Sequence, residues 1–166
     1  MSLLPDDVVE LARKVIDSNR AAGRTIAVAE SCTGGLVSAA LTEIAGSSAV
    51  FVAGYVTYSN GAKQGMLKVG RDVIETFGAV SVATAWAMAR GALDASGADV
   101  AVSITGIAGP DGGSDRKPVG TVVFARAARS DGPDDTMADQ KLFDASGGRS
   151  DIRRQATLCA LELLLP

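Results

Sequence analysis

The stretch Thr25–Gly35, with the sequence TIAVAESCTGG, joins a predicted strand to a predicted helix. Residues 25–29 form a short apolar run, which is typical of a strand covered on both faces. After the two glycines, apolar residues recur at helical spacing until Gly46: Leu36, Val37, Ala40, Leu41 and Ile44. The stretch therefore predicts a β-turn-α unit with a polar turn between its strand and its helix.

The rest of the chain continues this alternation of helices and strands. Further helices are predicted from a cap at Asp6 or Asp7 to Gly23, around residues 62–67 with Asn60 as cap, from Ser81 to Gly97, and from Gly148 or Ser150 onward. Further strands are predicted at residues 49–58, 99–105, 119–125 and 137–143, the last two as an antiparallel pair. We predict one domain over residues 1–166 with an α/β fold, a three-layer α/β/α sandwich around a mixed, mostly parallel sheet. Trp86 is expected to anchor its core.

Composition restricts the classes of partner. The chain has 166 residues, a net charge of −3 and no run of basic residues interleaved with aromatic ones, which disfavours nucleic acid and favours a small-molecule partner. It has neither a basic apolar leader nor an apolar stretch near the roughly 18 residues of a membrane span. The distant cysteines Cys32 and Cys159 read as free thiols in a reducing compartment, so a cytoplasmic location is expected. Homodimerisation is compatible with the many small residues.

The turn after the first strand presents a hydroxyl in a chain that contains no histidine. Ser31 stands at a helix start, where the backbone N–H groups of Thr33, Gly34 and Gly35 can stabilise developing negative charge. If Ser31 is a nucleophile, its base must be a lysine, a carboxylate or a tyrosine. The alternative reading is a helix cap with glycines that permit tight packing.

Two other predicted strand ends carry polar residues as well. Tyr58, Asn60 and Lys63 follow one strand, and Thr105 begins a Gly- and Pro-rich loop through Gly106 to Pro118. Because ligands of open α/β sheets bind beyond the carboxyl ends of the strands, these groups are expected to share one crevice with Ser31. Lys63 can act as a base only if burial lowers its pKa, and a solvated lysine is the alternative.

A cation at the start of the last predicted helix suggests an anion site. Arg149 opposes the helix dipole there, and a phosphate would resolve the conflict, although a solvated arginine is the alternative. Arg153 and Arg154, one turn further on, are expected to be mostly solvated. Without histidine a zinc site is not expected, and no dinucleotide or P-loop motif is present. Neither a metal nor an organic cofactor is expected.

Five ordered blocks of the sequence, from about residue 8 to the end, together resemble the C-terminal domain of the CinA family. They are ESCTGG at 30–35, VTYSN at 56–60 with Lys63, GAVS at 78–81, TGIAGP at 105–110 and KPVGT at 117–121. The resemblance implies a nicotinamide-nucleotide amidohydrolase of pyridine-nucleotide salvage, which converts nicotinamide mononucleotide and water to nicotinate mononucleotide and ammonia. Longer CinA proteins also carry an N-terminal pyrophosphatase domain, so this chain is expected to be a stand-alone deamidase.

The resemblance also implies roles for individual residues. The family's Ser/Lys pattern makes Ser31 the nucleophile and Lys63 the base, with Tyr58 assisting proton transfer or orientation. Expected substrate-binding residues are Thr33, Gly34, Gly35, Asn60, Thr105, Gly106 and Arg149. Thr105 would orient the amide or Lys63, and N–H groups near Thr33–Gly35 or at Gly106 would hold the oxyanion.

Two alternatives stay open at this point. The same reaction could use Cys32 as nucleophile, with Glu30 and Lys63 in support, as nitrilase-like amidases combine these residue types. The chain could also be a non-catalytic nucleotide-binding or interaction module in which Ser31 only caps a helix.

Overall fold

The computed structural model describes residues 1–166 and contains six α-helices and five strands. In chain order they are α1 (Asp6–Ala21), β1 (Ile26–Glu30), α2 (Leu36–Thr42), β2 (Phe51–Val56), α3 (Asn60–Leu67), α4 (Arg71–Phe77), α5 (Val82–Ser96), β3 (Val100–Gly106), β4 (Thr121–Ala128), β5 (Met137–Leu142) and α6 (Gly148–Leu163). The predicted α/β class is confirmed. No helix of the structure is long and apolar enough to cross a membrane.

The five strands form one mixed sheet in the order β2-β1-β3-β4-β5. Strand β1 pairs in parallel with β2 and β3, whereas β4 runs antiparallel to both of its neighbours. Four of the five strands therefore point the same way, as predicted. The carboxyl ends of β1, β2 and β3 consequently lie at one edge of the sheet.

Helices cover both faces of the sheet, which confirms the three-layer arrangement. In β1, Ile26 and Val28 face the core that is shared with α1, α2 and α6. The alternate residues Ala27 and Ala29 face α5, and α3 and α4 pack against α5 on that side. This alternation along β1 decides which side chain reaches which face at the end of the strand.

Two predicted helix caps are wrong. Helix α1 begins at Asp6 and its N-cap position is Pro5, so both aspartates lie within the first turn, where Asp7 Oδ1 accepts from Val8 N at 2.9 Å. Helix α3 is capped by Ser59, whose hydroxyl accepts a hydrogen bond from Ala62 N at 3.0 Å. Asn60 is thus the first residue of α3 rather than its cap, because Ser59 supplies the same capping chemistry one position earlier.

Two further expectations about the helices also fail. Helix α4 was not predicted, because its seven residues make only two turns, too short a segment for helical periodicity to stand out. Trp86 is 37% exposed and does not anchor the core. Helix α5 turns its small and flexible residues inward instead, among them Ala85, Met88 and Ala89.

Candidate active site

Ser31 and Thr57 extend the parallel ladder by one residue beyond β1 and β2. Ser31 N donates to Ile104 O at 2.9 Å, and Thr57 N donates to Glu30 O at 2.8 Å. The Glu30 side chain points toward α2, where it accepts three hydrogen bonds. Because successive side chains of an extended chain point to opposite faces, Ser31 points to the face that carries α3 and α5.

Lys63 of α3 meets Ser31 on that face. Its Nζ lies 2.9 Å from Ser31 Oγ, 2.9 Å from Thr57 O and 3.2 Å from Tyr58 O. Carbonyl oxygens only accept, so they take the two hydrogens of a neutral amine and leave its lone pair for the serine hydroxyl. In that protonation state Ser31 donates to Lys63, which is the geometry that a general base requires.

Burial favours the neutral form of Lys63. The side chain is 1% exposed and makes no ion pair with a carboxylate. Loss of hydration therefore lowers the pKa of Lys63 below its ordinary value of 10.5, and the neighbouring Cys32 opposes this shift only in part. A lysine activated for proton transfer is expected to have such surroundings.

Cys32 occupies a different environment from Ser31. Its side chain is 5% exposed and belongs to the apolar core on the α2 side of the sheet. Burial raises the pKa of the Cys32 thiol to about 11, although the nearby Arg153 charge pulls in the opposite direction. A thiol with this pKa is protonated near neutral pH, whereas a nucleophilic cysteine must be a thiolate.

Glu30, which the alternative scheme used beside Cys32, already has other partners. Its buried carboxylate accepts from Val37 N at 2.9 Å, Ser38 N at 3.0 Å and Ser38 Oγ at 2.8 Å. The carboxylate thus satisfies the free N–H groups and the positive dipole end of α2. The start of this helix is consequently occupied by the protein's own anion.

A crevice of about 280 Å³ opens above the Ser31–Lys63 pair. Its lining comes from the ends of β1 and β3, the segments around α3 and α5, and the start of α6: Ser31, Cys32, Tyr58, Lys63, Ala79, Val80, Thr105–Gly109, Asp111, Gly112 and Arg149. Ligand cavities commonly enclose roughly 300–1,000 Å³, so this crevice is near the lower end of that range and has room for a small organic ligand.

The apolar wall of the crevice is held by Thr105. Its hydroxyl donates to Ala79 O at 2.8 Å, which ties the end of β3 to the segment that precedes α5. Gly106 follows at a position where a Cβ atom would come within 2.8 Å of Val122 Cγ2 and 2.9 Å of Thr121 O. Glycine is therefore required there for the loop to leave the sheet beside β4.

Tyr58 links the lysine to the mouth of the crevice. Its carbonyl oxygen contacts Lys63 Nζ, and its hydroxyl oxygen accepts from Arg149 Nη2 at 3.0 Å. Arg149 Nη1 also donates to Gly109 O at 2.7 Å. The guanidinium is thus held about one tyrosine side chain away from the serine and the lysine, at the solvent-exposed side of the site.

Free backbone donors also line the crevice. The N–H groups of Cys32, Ala108 and Gly109 donate no hydrogen bond within the protein. By contrast, Gly34 N donates to Ser31 O at 3.0 Å. These three donors lie in the residue after Ser31 and in the loop after β3.

The structure brings together most, but not all, of the predicted site residues. Ser31, Lys63, Tyr58, Thr105, Gly106 and Arg149 line the crevice. Thr33, Gly34, Gly35 and Asn60 do not, because the turn after Cys32 leads to the opposite side of the sheet and Asn60 is exposed at the start of α3. Binding roles for these four residues gain no support from their positions.

Two features of the site were missed in the sequence. Ala79 and Val80 form part of the crevice wall. They lie in the GAVS block that carries the family resemblance, but no site role was predicted for them. Arg153 was expected to be solvated, yet it is half-buried and its guanidinium bonds the backbone of the Ser31 turn. Its spacing of four residues from Arg149 places both arginines on one face of α6 and was the available signal.

Comparison with known proteins places the chain in a family. Residues 8–166 match the model of the CinA C-terminal domain, and the chain belongs to that family. The predicted resemblance is thereby confirmed.

Particular relatives are similar over most of the chain. The nicotinamide-nucleotide amidohydrolase PncC of Escherichia coli strain K12 is 50% identical over 159 residues, which cover 95% of this chain and 93% of that protein. A CinA-like protein of Mycolicibacterium gilvum is 54% identical over 143 residues, which cover 86% of this chain but 33% of the relative. The chain thus spans nearly all of the first protein and about a third of the second.

Solved structures have the same architecture. The competence/damage inducible protein CihA from Agrobacterium tumefaciens superposes with a TM-score of 0.93 and 51% identity, covering 99% of this chain and 97% of that one. A CinA superfamily protein from Klebsiella pneumoniae gives a TM-score of 0.87 at 36% identity, covering 95% and 94% of the two chains. The fold described above is therefore that of the CinA superfamily.

Proposed function

We propose that this protein is a nicotinamide-nucleotide amidohydrolase that uses Ser31 as nucleophile and Lys63 as base. The single observation that carries the chemistry is the 2.9 Å contact between Ser31 Oγ and a buried lysine that has no carboxylate partner. The substrate class is supported by the 50% identity to PncC over 95% of the chain. Hydrolysis of this amide gives nicotinate mononucleotide and ammonia, a reaction of pyridine-nucleotide salvage.

The reaction begins when the Ser31 oxygen attacks the carboxamide carbon. As the Oγ–C bond forms, the hydroxyl proton moves to the Lys63 lone pair, and the carbonyl oxygen becomes an oxyanion. The N–H groups of Cys32 and Ala108, which line the crevice and bond no backbone carbonyl, are the proposed donors to this oxyanion. We assign them the oxyanion-binding role that was predicted for the N–H groups near Thr33–Gly35, since the Glu30 carboxylate already accepts from the free N–H groups at the start of α2.

Lys63 then acts as an acid. It returns the proton to the amide nitrogen as the C–N bond breaks, so ammonia leaves and an ester to Ser31 remains. A water molecule attacks this ester while Lys63 takes a proton from the water. That proton passes to Ser31 Oγ as the acid departs, which restores the starting state.

The shape and charge of the crevice match the two ends of the nucleotide. In the proposed complex the pyridine ring lies between the wall at Ala79–Val80 and the loop at Ile107–Ala108, the apolar part of the crevice lining. The phosphate reaches Arg149 at the mouth, where the guanidinium can exchange its bond to Tyr58 for charge-assisted bonds to phosphate oxygens. Tyr58 positions Arg149 before the substrate binds.

Replacing Arg149 with methionine is expected to raise KM for nicotinamide mononucleotide by about 10–100-fold. Hydrogen bonds to charged groups contribute about 1.5–3 kcal/mol, and the variant loses those to the phosphate. Nicotinamide riboside, which has no phosphate, serves as the matched substrate. Its kcat/KM should change less than threefold, and an equal loss for both substrates would refute the phosphate contact.

Replacing Cys32 with serine is expected to leave kcat within about threefold of wild type. The thiol has a pKa of about 11, faces the core, and takes no part in the proposed steps. Ammonia release from nicotinamide mononucleotide measures the effect. A dead Cys32→Ser variant that is still folded would favour the cysteine mechanism.

The function itself is tested by incubating the protein with nicotinamide mononucleotide and measuring ammonia and nicotinate mononucleotide together. Equal amounts of both products are expected. Binding of the nucleotide by calorimetry without ammonia release would instead identify a non-catalytic nucleotide-binding module.

A further inference from the structure

We propose that Arg153 is a positioning residue that holds the nucleophile turn, Ser31–Gly35, in its reactive conformation; this inference rests on the proposed function. Arg153 Nε donates to Cys32 O at 3.0 Å, and Nη2 donates to Thr33 O at 3.1 Å. The two partners lie about 120 residues away in sequence. These bonds join α6 directly to the backbone that carries Ser31.

The nucleophile turn is held from two sides by opposite charges. The Glu30 carboxylate accepts hydrogen bonds from N–H groups that follow the turn, and the Arg153 guanidinium donates hydrogen bonds to carbonyl oxygens within it. Gly34 and Gly35 have φ angles of 59° and 100°, so the chain reverses in the left-handed region between these two anchors. A Cβ atom on Gly34 would lie 3.3 Å from Arg153 Nη2, which shows how closely the guanidinium fits the turn.

Arginine is well suited to both contacts of this turn. Its planar guanidinium presents two separate donor atoms, Nε and Nη2, in a fixed geometry to two successive carbonyl oxygens, whereas lysine would have to reach both oxygens from one nitrogen. Arg153 also makes no ion pair with a carboxylate. Its charge is therefore satisfied by backbone oxygens of the nucleophile turn.

The contact affects catalysis through two groups of the turn. The carbonyl that Arg153 binds and the N–H proposed as an oxyanion donor both belong to Cys32, the residue after Ser31. A shift of this backbone therefore moves both the oxyanion donor and Ser31. A displacement of about 1 Å at a reacting group can cost on the order of 10²-fold in rate. Substrate binding is proposed to depend on Arg149 and on the crevice walls at Ala79–Val80 and Ile107–Ala108, to which Arg153 makes no hydrogen bond.

Replacing Arg153 with alanine is therefore expected to lower kcat for nicotinamide mononucleotide by about 10²-fold while KM stays within threefold. Arg153→Lys should recover only part of kcat. Arg153 lines a cavity of about 490 Å³ between the start of α1 and α6, so millimolar guanidinium ion is expected to enter the space left by Arg153→Ala and to restore part of the rate. Arg154→Ala, which breaks the pairs with Asp7 and Asp151, is the matched control and should keep kcat.

Hydrogen exchange separates failure of this inference from failure of the proposed function. The amides of Gly34 and Leu36, which donate to Ser31 O and Thr33 O, should exchange at least tenfold faster in Arg153→Ala than in wild type and in Arg154→Ala, whether or not the protein deamidates any substrate. Wild-type exchange rates in Arg153→Ala, or a kcat within threefold of wild type, would overturn the proposal. If Arg153→Ala does not fold, the same limits apply to Arg153→Lys.

Discussion

Replacing Ser31 with alanine is expected to lower kcat for nicotinamide mononucleotide by on the order of 10⁴–10⁶-fold, because loss of the nucleophile of a serine hydrolase has an effect of this size. The variant keeps the crevice, the free N–H donors and Arg149. Its affinity for the nucleotide should therefore stay within a few fold of wild type.

The Ser31→Ala measurement pairs ammonia release with calorimetric binding of nicotinamide mononucleotide. Cys32→Ser is the matched control at the adjacent position, and it should turn over normally. Turnover by Ser31→Ala within tenfold of wild type would exclude Ser31 as the nucleophile, since no other hydroxyl contacts Lys63.

Replacing Lys63 with methionine is expected to lower kcat by about 10²–10⁴-fold, the contribution of a positioned general base. Methionine fills most of the buried volume and has no amine to accept the serine proton. The variant should fold, because it removes a polar group whose burial costs free energy. Full activity in Lys63→Met would remove the base from the mechanism.

The lowered pKa of Lys63 also predicts two pH dependences. Wild-type kcat/KM should increase as pH rises through the pKa of Lys63, which lies below 10.5, because only the neutral amine is a base.

Between that pKa and 10.5 the unfolded chain binds more protons at this residue than the native state does. The free energy of unfolding contributed by Lys63 therefore increases with pH across this window.

Urea unfolding at a series of pH values measures this contribution. Relative to wild type, Lys63→Met should lose the increase in unfolding free energy with pH. Lys14→Met, at an exposed position of α1, is the matched control and should retain the wild-type slope. Parallel pH profiles of wild type and Lys63→Met would show that the pKa of Lys63 is not lowered in the native state.

Much of the fold was predictable because its signals are local. The apolar run before Ser31 and the helical spacing after Gly35 gave the first β-turn-α unit, and the same logic gave the other strands to within a few residues. The choice of Lys63 came from its place after a strand end, together with the family resemblance. The sheet explains why this works, since parallel strands bring their carboxyl ends to one edge.

Which of Ser31 and Cys32 faces the crevice depends on the side of the sheet to which each side chain points, and this was not inferred from the sequence. Glu30 caps α2 from one face of the sheet, so the next residue, Ser31, points to the other face. Cys32 then returns to the core beside α2. Sequence reasoning treated the start of α2 as an anion site because it overlooked that Glu30 could occupy it.

Contacts between distant segments were the least predictable. Arg153 bonds carbonyl oxygens about 120 residues away, and a solvated arginine and a bonded one look alike in a sequence. The predictions for α4 and Trp86 failed for a related reason. Helix α4 packs against α5, and packing of α5 on the sheet decides which of its residues face inward, and neither contact is local in sequence. Only the assembled layers determine these contacts.

In the proposed mechanism Ser31 forms an ester with the substrate's carboxamide carbon while Lys63 carries the proton. This ester can be sought by rapid acid quenching during turnover of nicotinamide mononucleotide, followed by fragment-resolved mass spectrometry of the peptide Thr25–Lys63. We expect a nicotinate mononucleotide acyl group on Ser31 Oγ, formed together with ammonia. The same group on Cys32, or turnover with no covalent species at any mixing time, would contradict it.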